Sequence, residues 1–413
     1  MTMLNFSPQR HRGTENIDKH RGNFCHPLLA FALFFLAGCA VTPELPPPEP
    51  VVPPKVQVPA LPALTPVTWD TVSGWPDDDP AAAWPAFMQS CATLKNKPNW
   101  QAVCKAAVAI PAQDSAAQRT FFEENFLPYQ VSNPDGSNQG LITGYYEPLL
   151  RGAKQRSAKY RYPLYGMPDD LLIIDLASVY PELKSMRLRG RLQGNRVVPY
   201  FSRAEIEHGD APVKGKELFW VDDPIELFFL QIQGSGKIRL DSGETLSIGY
   251  AEQNGYPYKS IGKLLVERGE LTLEKASLQG ISNWAKQNPD KVRKLLDENA
   301  SYVFFRELPN NLTGPLGALG VPLTAGRSIA IDPRTTPLGA PVFLATTWPN
   351  TERPLNRLMV AQDTGGAIRG AVRADFFWGF GSEAGGFAGS MRQRGKMWVL
   401  WPKDVPLPQN GTP

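Results

Sequence analysis

The sequence predicts a mainly β chain with helices, an α+β architecture whose last third closes into a small β-barrel. Three observations carry this. Residues 310–402 alternate Gly and Pro with short apolar runs: Ser328-Ile-Ala-Ile331, Pro341-Val-Phe-Leu344, Arg357-Leu-Met-Val-Ala361 and Met397-Trp-Val-Leu-Trp401. Short strands between such turns suit a closed barrel. Residues 80–126 read mostly helical, and residues 150–310 mix strand and helix signals. The 413 residues suffice for two or three domains, and 42% hydrophobic with 20% charged residues is a globular composition. A net charge of +3 without a basic stripe argues against nucleic acid as a partner.

Residues 1–26 are polar and carry Arg10, Arg12, Lys19 and Arg21. The apolar run Pro27–Ala37 is too short to span a bilayer, which takes about 20 helical residues. It has the length of a signal-peptide core behind a cationic segment. It ends in Leu36-Ala37-Gly38-Cys39, which resembles the bacterial lipobox. That resemblance implies a signal peptide over 1–38 and a lipidated Cys39. Ala40, where aspartate would favour inner-membrane retention, implies an outer-membrane anchor facing the periplasm. Ten prolines in residues 41–66 favour an extended tether, read here as 39–70.

Beyond Cys39 only Cys91 and Cys104 remain, and beyond residue 26 only His208. Two cysteines in an exported chain can close a short disulfide loop or stand as two buried thiols. They are too few for a metal site, and a lone His208 in a polar turn leaves little for histidine-based catalysis. Leu141-Ile-Thr-Gly-Tyr-Tyr-Glu-Pro148 reads as a strand stopped by Pro148. Leu227–Gln233 and Lys237–Leu240 alternate around Gly234-Ser-Gly236 and read as a hairpin with Gln231 and Gln233 on one face. Three helices follow. The first carries Ile261, Leu264 and Leu265 and is closed by Gly269. The second is capped by Thr272, and the third opens at Asn288-Pro289-Asp290.

The chemistry concentrates in the last third. Asp332, Asp363 and Asp375 each close or follow an apolar segment, so a barrel can bring all three to one rim. Gly365 and Gly366 let a ligand or backbone approach closely. Phe376, Phe377 and Trp378 place apolar surface beside Asp375, and a desolvated aspartate rises above about 3.9 and can serve as a general acid. Aromatic rings cover sugar faces while amides and carboxylates bond hydroxyls. Carbohydrate is therefore the expected ligand class, with Tyr145, Tyr146, Gln231, Gln233 and Trp378 as suitable contacts.

Several stretches together resemble the family of membrane-bound lytic murein transglycosylase A. They are Thr143-Gly-Tyr-Tyr-Glu-Pro148, Gln233-Gly-Ser-Gly-Lys-Ile238, Gly249-Tyr-Ala-Glu-Gln-Asn-Gly-Tyr256 with Tyr258–Lys263, Asn299–Phe305, and Asp363-Thr-Gly-Gly-Ala-Ile368 with Gly379–Gly385. The carboxyl-terminal trio Asp332, Asp363 and Asp375 also resembles a three-aspartate (3D) module. The resemblance spans roughly 75–402. It implies a double-psi β-barrel assembled from 71–150 and 311–405, a smaller β-domain with helices inserted over 151–310, and a glycan groove between them. It implies cleavage of the β-1,4 bond between N-acetylmuramic acid and N-acetylglucosamine without water, leaving a 1,6-anhydro end.

By position in its motif, Asp375 is the implied catalytic residue, acid then base, with Asp363 and Asp332 in support. Substrate contacts are implied for Thr143, Gly144, Tyr145, Gln231, Gln233, Ser235, Gly365, Gly366 and Trp378. The implied partners are peptidoglycan strands and, through acylated Cys39, outer-membrane lipid. Wall-synthesis complexes are left open, and no cofactor is implied. Two other readings stand: a peptidoglycan hydrolase using Asp363 or Asp332 to serve water, and a non-catalytic wall-binding lipoprotein with an expansin-like barrel.

Overall fold

The computed structural model describes residues 64–183 and 186–407; the signal segment, Cys39 and most of the proline-rich stretch lie outside them. Six strands close a barrel, in the order Gly140–Glu147, Arg392–Pro402, Pro341–Thr347, Pro354–Thr364, Ser328–Ile331 and Arg373–Phe380, the last returning to the first. Two pairings are parallel: 328–331 with 354–364, and 373–380 with 140–147. The interior is filled by inward residues such as Ile142, Ile329, Val342, Met359, Ala374, Phe376 and Val399, whereas Phe343 faces Trp75 outside. Closure leaves each of these strands with neighbours on both sides, so its backbone groups are satisfied without an open edge.

Helices Trp84–Leu94, Pro98–Ala107 and Ser115–Asn125 pack on this body. Pro98 sits where its missing N–H costs nothing, and Asp114 accepts from the Ala117 amide at the third helix start. Trp84, Phe87, Phe121, Phe122 and Phe126 meet edge to face or tilted at 5.1–6.0 Å. Cys91 and Cys104 are bridged, which ties the first two helices together.

A second sheet of six strands runs in the order Val303–Leu308, Thr245–Gln253, Ser235–Leu240, Leu149–Ala153, Glu217–Val221 and Tyr162–Tyr165. It follows the barrel strand 140–147 directly, across Pro148. A small three-stranded sheet, Leu172–Ile173, Arg189–Gln193 and Arg196–Pro199, lies within the same stretch of chain.

Four local expectations are corrected. Leu227–Gln233 is no hairpin arm but most of the helix Pro224–Gln233. Asp223 accepts from the Ile225 and Glu226 amides, Pro224 starts the helix, and Gly234 ends it at φ 77°. Two strong caps outweigh a four-residue alternation, because Ile225, Leu227, Phe228, Leu230 and Gln231 bury one helical stripe. Thr272 makes no side-chain cap and precedes only a short 3₁₀ turn; Ser277 caps the helix Leu278–Gln287. His208 ends the helix Arg203–His208, which a Ser202/Glu205 capping box opens, and lies exposed 3.1 Å from Asp297. Finally, packed chain begins before residue 71. Leu64–Pro66 adds to the strand Phe126–Val131, where an edge position tolerates Pro66, and Trp69 packs on Trp75 at 4.5 Å.

Candidate active site

Strand pairing builds a row of side chains across the outer barrel wall. Ala330 pairs with Asp363 on one side and Asp375 on the other. Asp375 pairs with Thr143, and Thr143 with Arg392. Along each strand the neighbours Ile142, Ile329, Ile331, Ala374 and Phe376 belong to the core. Alternation therefore turns Thr143, Ala330 and Asp375 outward. The small Ala330 side chain between the two aspartates is itself buried, clustered with Tyr145, Leu323, Ile368 and Phe377. The Cα atoms of the two aspartates stand two strand spacings apart, about 10 Å.

Asp375 is half-buried, and Thr143 Oγ1 donates to its Oδ1 at 2.6 Å. Burial pushes its carboxyl above the usual range, against the Thr143 hydrogen bond and the charge of Arg373. Arg373 lies two residues earlier on the same strand face and donates to the Leu141 and Ala374 carbonyls. Asp363 accepts from the Ala318 and Thr364 amides at 2.9 Å and from Tyr145 Oη at 3.1 Å. Its carboxyl is pushed up to about 6, chiefly by burial, with the Asp375 charge adding. Tyr145 is buried against Phe377 at 5.1 Å, and burial with the two carboxylates keeps its phenol protonated, a fixed donor.

Asp332 stands apart. It is fully buried and bound by Arg334, with Nη2 at 2.6 Å, and by the Gly370 amide at 2.9 Å. Burial alone would raise it, but the Arg334 hydrogen bonds with those of the Gly370 and Arg334 amides and the Arg334 charge hold it below its usual range. This ion-paired carboxylate braces two loops, two residues beyond the Ala330 position that stands between Asp363 and Asp375.

Several expected contacts are redistributed. Trp378 and Phe376 alternate to the face opposite Asp375, and only Phe377 shares its side. Trp378 stacks on Phe387 at 4.7 Å and meets Trp348 at 5.2 Å. Gly144 makes room for it: a Cβ there would stand 2.6 Å from Trp378 Nε1. Gln231 is buried and accepts from Arg203, whose guanidinium also bonds the Asn299 and Ser301 carbonyls. Gln233 accepts from the Tyr146 amide at 3.0 Å and fastens the 224–233 helix to strand 140–147. Ser235 is buried at the head of its strand. Gly365 closes on Ile368, whereas Gly366 is exposed with open space above it. Arg373, Ala330 and Ala318 were not singled out from sequence. Arg373 could have been found, because a residue two before Asp375 on a strand shares its face.

The wall carrying this row leads to the second sheet. Thr143, Tyr145 and Glu147 share one face of strand 140–147, and Glu147, buried and pushed up to about 6, feels the charge of Lys237 from that sheet. Glu147 pairs with Phe380, over whose ring Lys237 sits at 4.3 Å. Among the described residues no cluster of three or more His, Cys, Asp or Glu could hold a metal ion. A shielded, elevated carboxyl beside a hydroxyl donor, an arginine and a second elevated carboxyl can give and retake a proton.

The Thr143 contact has a testable sign. Its hydroxyl stabilises the charged form of Asp375, so Thr143→Val removes a force that lowers the pKa. The alkaline limb of the kcat/KM profile, where the acid is lost, shifts to higher pH. A profile that stays in place or moves to lower pH contradicts the hydrogen bond's role.

A family model described as the MltA specific insert domain matches residues 141–306, and a 3D domain model matches 327–401. Membrane-bound lytic murein transglycosylase A of Escherichia coli K12 is 34% identical over 279 residues, 66% of this chain and 68% of that protein. The crystal structure of MltA from Neisseria gonorrhoeae superposes with a TM-score of 0.72 at 40% identity, covering 83% of this chain and 93% of that one. A structure of E. coli MltA with bound chitohexaose superposes with a TM-score of 0.60 at 28% identity, covering 79% and 90%. The chain belongs to the family of membrane-bound lytic murein transglycosylase A.

Proposed function

We infer that this chain is a peptidoglycan lytic transglycosylase that cleaves the MurNAc–GlcNAc bond with Asp375 as its one acid–base group. The observation that carries this is the half-buried, raised Asp375 carboxyl fixed by Thr143 within the matched 3D module. Protonated Asp375 gives its proton to the glycosidic oxygen as the C1–O bond breaks. Positive charge builds on C1 and the ring oxygen. The resulting carboxylate takes the proton of the muramoyl 6-hydroxyl as that oxygen bonds C1. No water is consumed, and the proton count closes on the same side chain. The intramolecular hydroxyl needs no second carboxylate to activate it, because its effective concentration is already high. Hydrolysing glycosidases normally employ a second carboxylate. Asp363, held by Tyr145 and two amides, keeps the wall of the site in shape.

Glycan is the natural ligand of this site: the E. coli relative accommodates chitohexaose, and Gly366 leaves open space by Asp363. The relatives are membrane-bound, and among the described residues no helix is long and apolar enough to cross a membrane. An acylated Cys39 followed by a proline-rich tether supplies the attachment in this reading, with the outer membrane as its lipid. The functional division runs 1–38 signal, 39–63 anchor and tether, barrel from 64–147 with 311–405, and insert between. Incubating residues 40–413 with wall sacculi tests the reaction. Products one water lighter than reducing-end fragments are expected. Reducing-end products of full mass would make it a hydrolase, and no released fragments would make it a binding protein.

A further inference from the structure

Beside the aspartate row lies a group of arginines that the acid–base chemistry does not use. Asp332 follows Ala330 by two residues, about 7 Å along the chain, on the same side of the wall. Its carboxylate is buried, but the two guanidinium groups that meet it are not. Arg334, at 2.6 Å, is 48% exposed, and Arg369, at 3.8 Å, is 42% exposed. One carboxylate thus faces two cations. Burial and the neighbouring Arg334 charge push the Arg369 guanidinium down, against the pull of Asp332. Arg334 and Arg369, with Asp332 between them, therefore carry net positive charge, half open to solvent. The pair adjoins the 363–370 loop, where Gly366 leaves open space.

Planar guanidinium groups with outward N–H donors match carboxylates bidentately. We propose that Arg369 and Arg334 form a carboxylate-binding subsite for the peptide stem of the muramic acid being cleaved. This rests on peptidoglycan being the substrate. The distance suits it: the group lies on the order of 10 Å from Asp375 along the wall, and two to three extended residues cover about 7–10 Å. Stripped glycan keeps only the lactyl carboxylate held close to the sugar ring and lacks the stem carboxylates two to three residues further out, so it cannot reach the subsite. The subsite thus separates stem-bearing from stem-free strands without touching the scissile bond.

The experiment compares kcat/KM on wall strands with intact stems and on the same strands stripped of stems by an amidase. The readout is the ratio of the two. Arg369→Gln should lower that ratio about fivefold, the scale of one partly exposed ion pair, and Arg369→Gln/Arg334→Gln should lower it further. Raising salt should lower the wild-type ratio in the same direction, and Arg369→Lys should restore part of it. An unchanged ratio in the double variant, or equal losses on both substrates, overturns the subsite while leaving the reaction in place. Absence of anhydro product from both substrates with the wild-type protein would instead remove the proposed activity itself.

Discussion

Asp375→Asn loses about three to four orders of magnitude in kcat on wall sacculi while glycan affinity stays within about twofold. General acid–base catalysis contributes roughly 10²–10⁴-fold, and here one carboxyl serves both proton transfers, so the upper part of that range applies. The amide has the shape of the acid, and its oxygen can still accept from Thr143 Oγ1, now 2.6 Å away. It has no acidic proton to give and no basic oxygen to take one back. The strands on both sides, paired through Ala330 and Thr143, do not depend on the charge. Removing a carboxylate that burial disfavours also releases a desolvation cost, so the variant should be no less stable than the parent. Rate is read from anhydro-product formation, affinity from calorimetric titration with a soluble chitooligosaccharide. A variant that forms anhydro ends at more than about a tenth of the normal rate would remove Asp375 from the reaction. A variant that loses both rate and affinity would make it a binding residue.

The barrel was legible because its strands are short, apolar and set between Gly and Pro, and because closure buries nearly every inward residue. Which residues stand beside Asp375 was less so. Sequence adjacency put Trp378 there, but the period of a strand sends Phe376 and Trp378 to the other face and leaves Phe377. The helix at 224–233 was misread because Leu-Gln-Ile-Gln alternates over four residues. The caps at Asp223 and Gly234 were the stronger signal. With the helix restored, Gln231 turns into the insert core against Arg203, and only Gln233 reaches the barrel strand. Ala330 could not have been found from local sequence, since its importance comes from pairing with two strands 33 and 45 residues further on. Asp332 was visible as a carboxylate, but its role as a brace depends on the Gly370 amide, which only the fold brings to it.

Asp78→Ala destabilises the folded body by about 3–5 kcal/mol, the largest stability effect expected outside the hydrophobic core. The Asp78 carboxylate takes Arg327 Nη1 at 2.9 Å and Nη2 at 3.0 Å, and the Leu358 amide at 2.7 Å. The two side chains are only 5% and 10% exposed. Truncation leaves a guanidinium in the interior without its counter-ion and an amide without its acceptor. Desolvation that the pair offset is then uncompensated. Removing both charges is different: Asp78→Leu with Arg327→Met fills the space with apolar atoms, so the double variant should recover much of the loss and retain mainly the orphaned amide, about 1–3 kcal/mol. Urea midpoints with an unchanged slope measure both. A single-variant loss below about 1 kcal/mol would show that water reaches the pair. The site feels this pair through the chain. Arg327 immediately precedes the strand Ser328–Ile331, and its carbonyl accepts from the Val360 amide of the strand that carries Asp363. Asp78 lies far back in sequence, before the first helix, and clamps the start of the one strand that stands between the two aspartates. Asp78→Ala should therefore cleave at near-normal rates at low temperature and lose activity at the temperature where this strand pairing gives way, well below the parent.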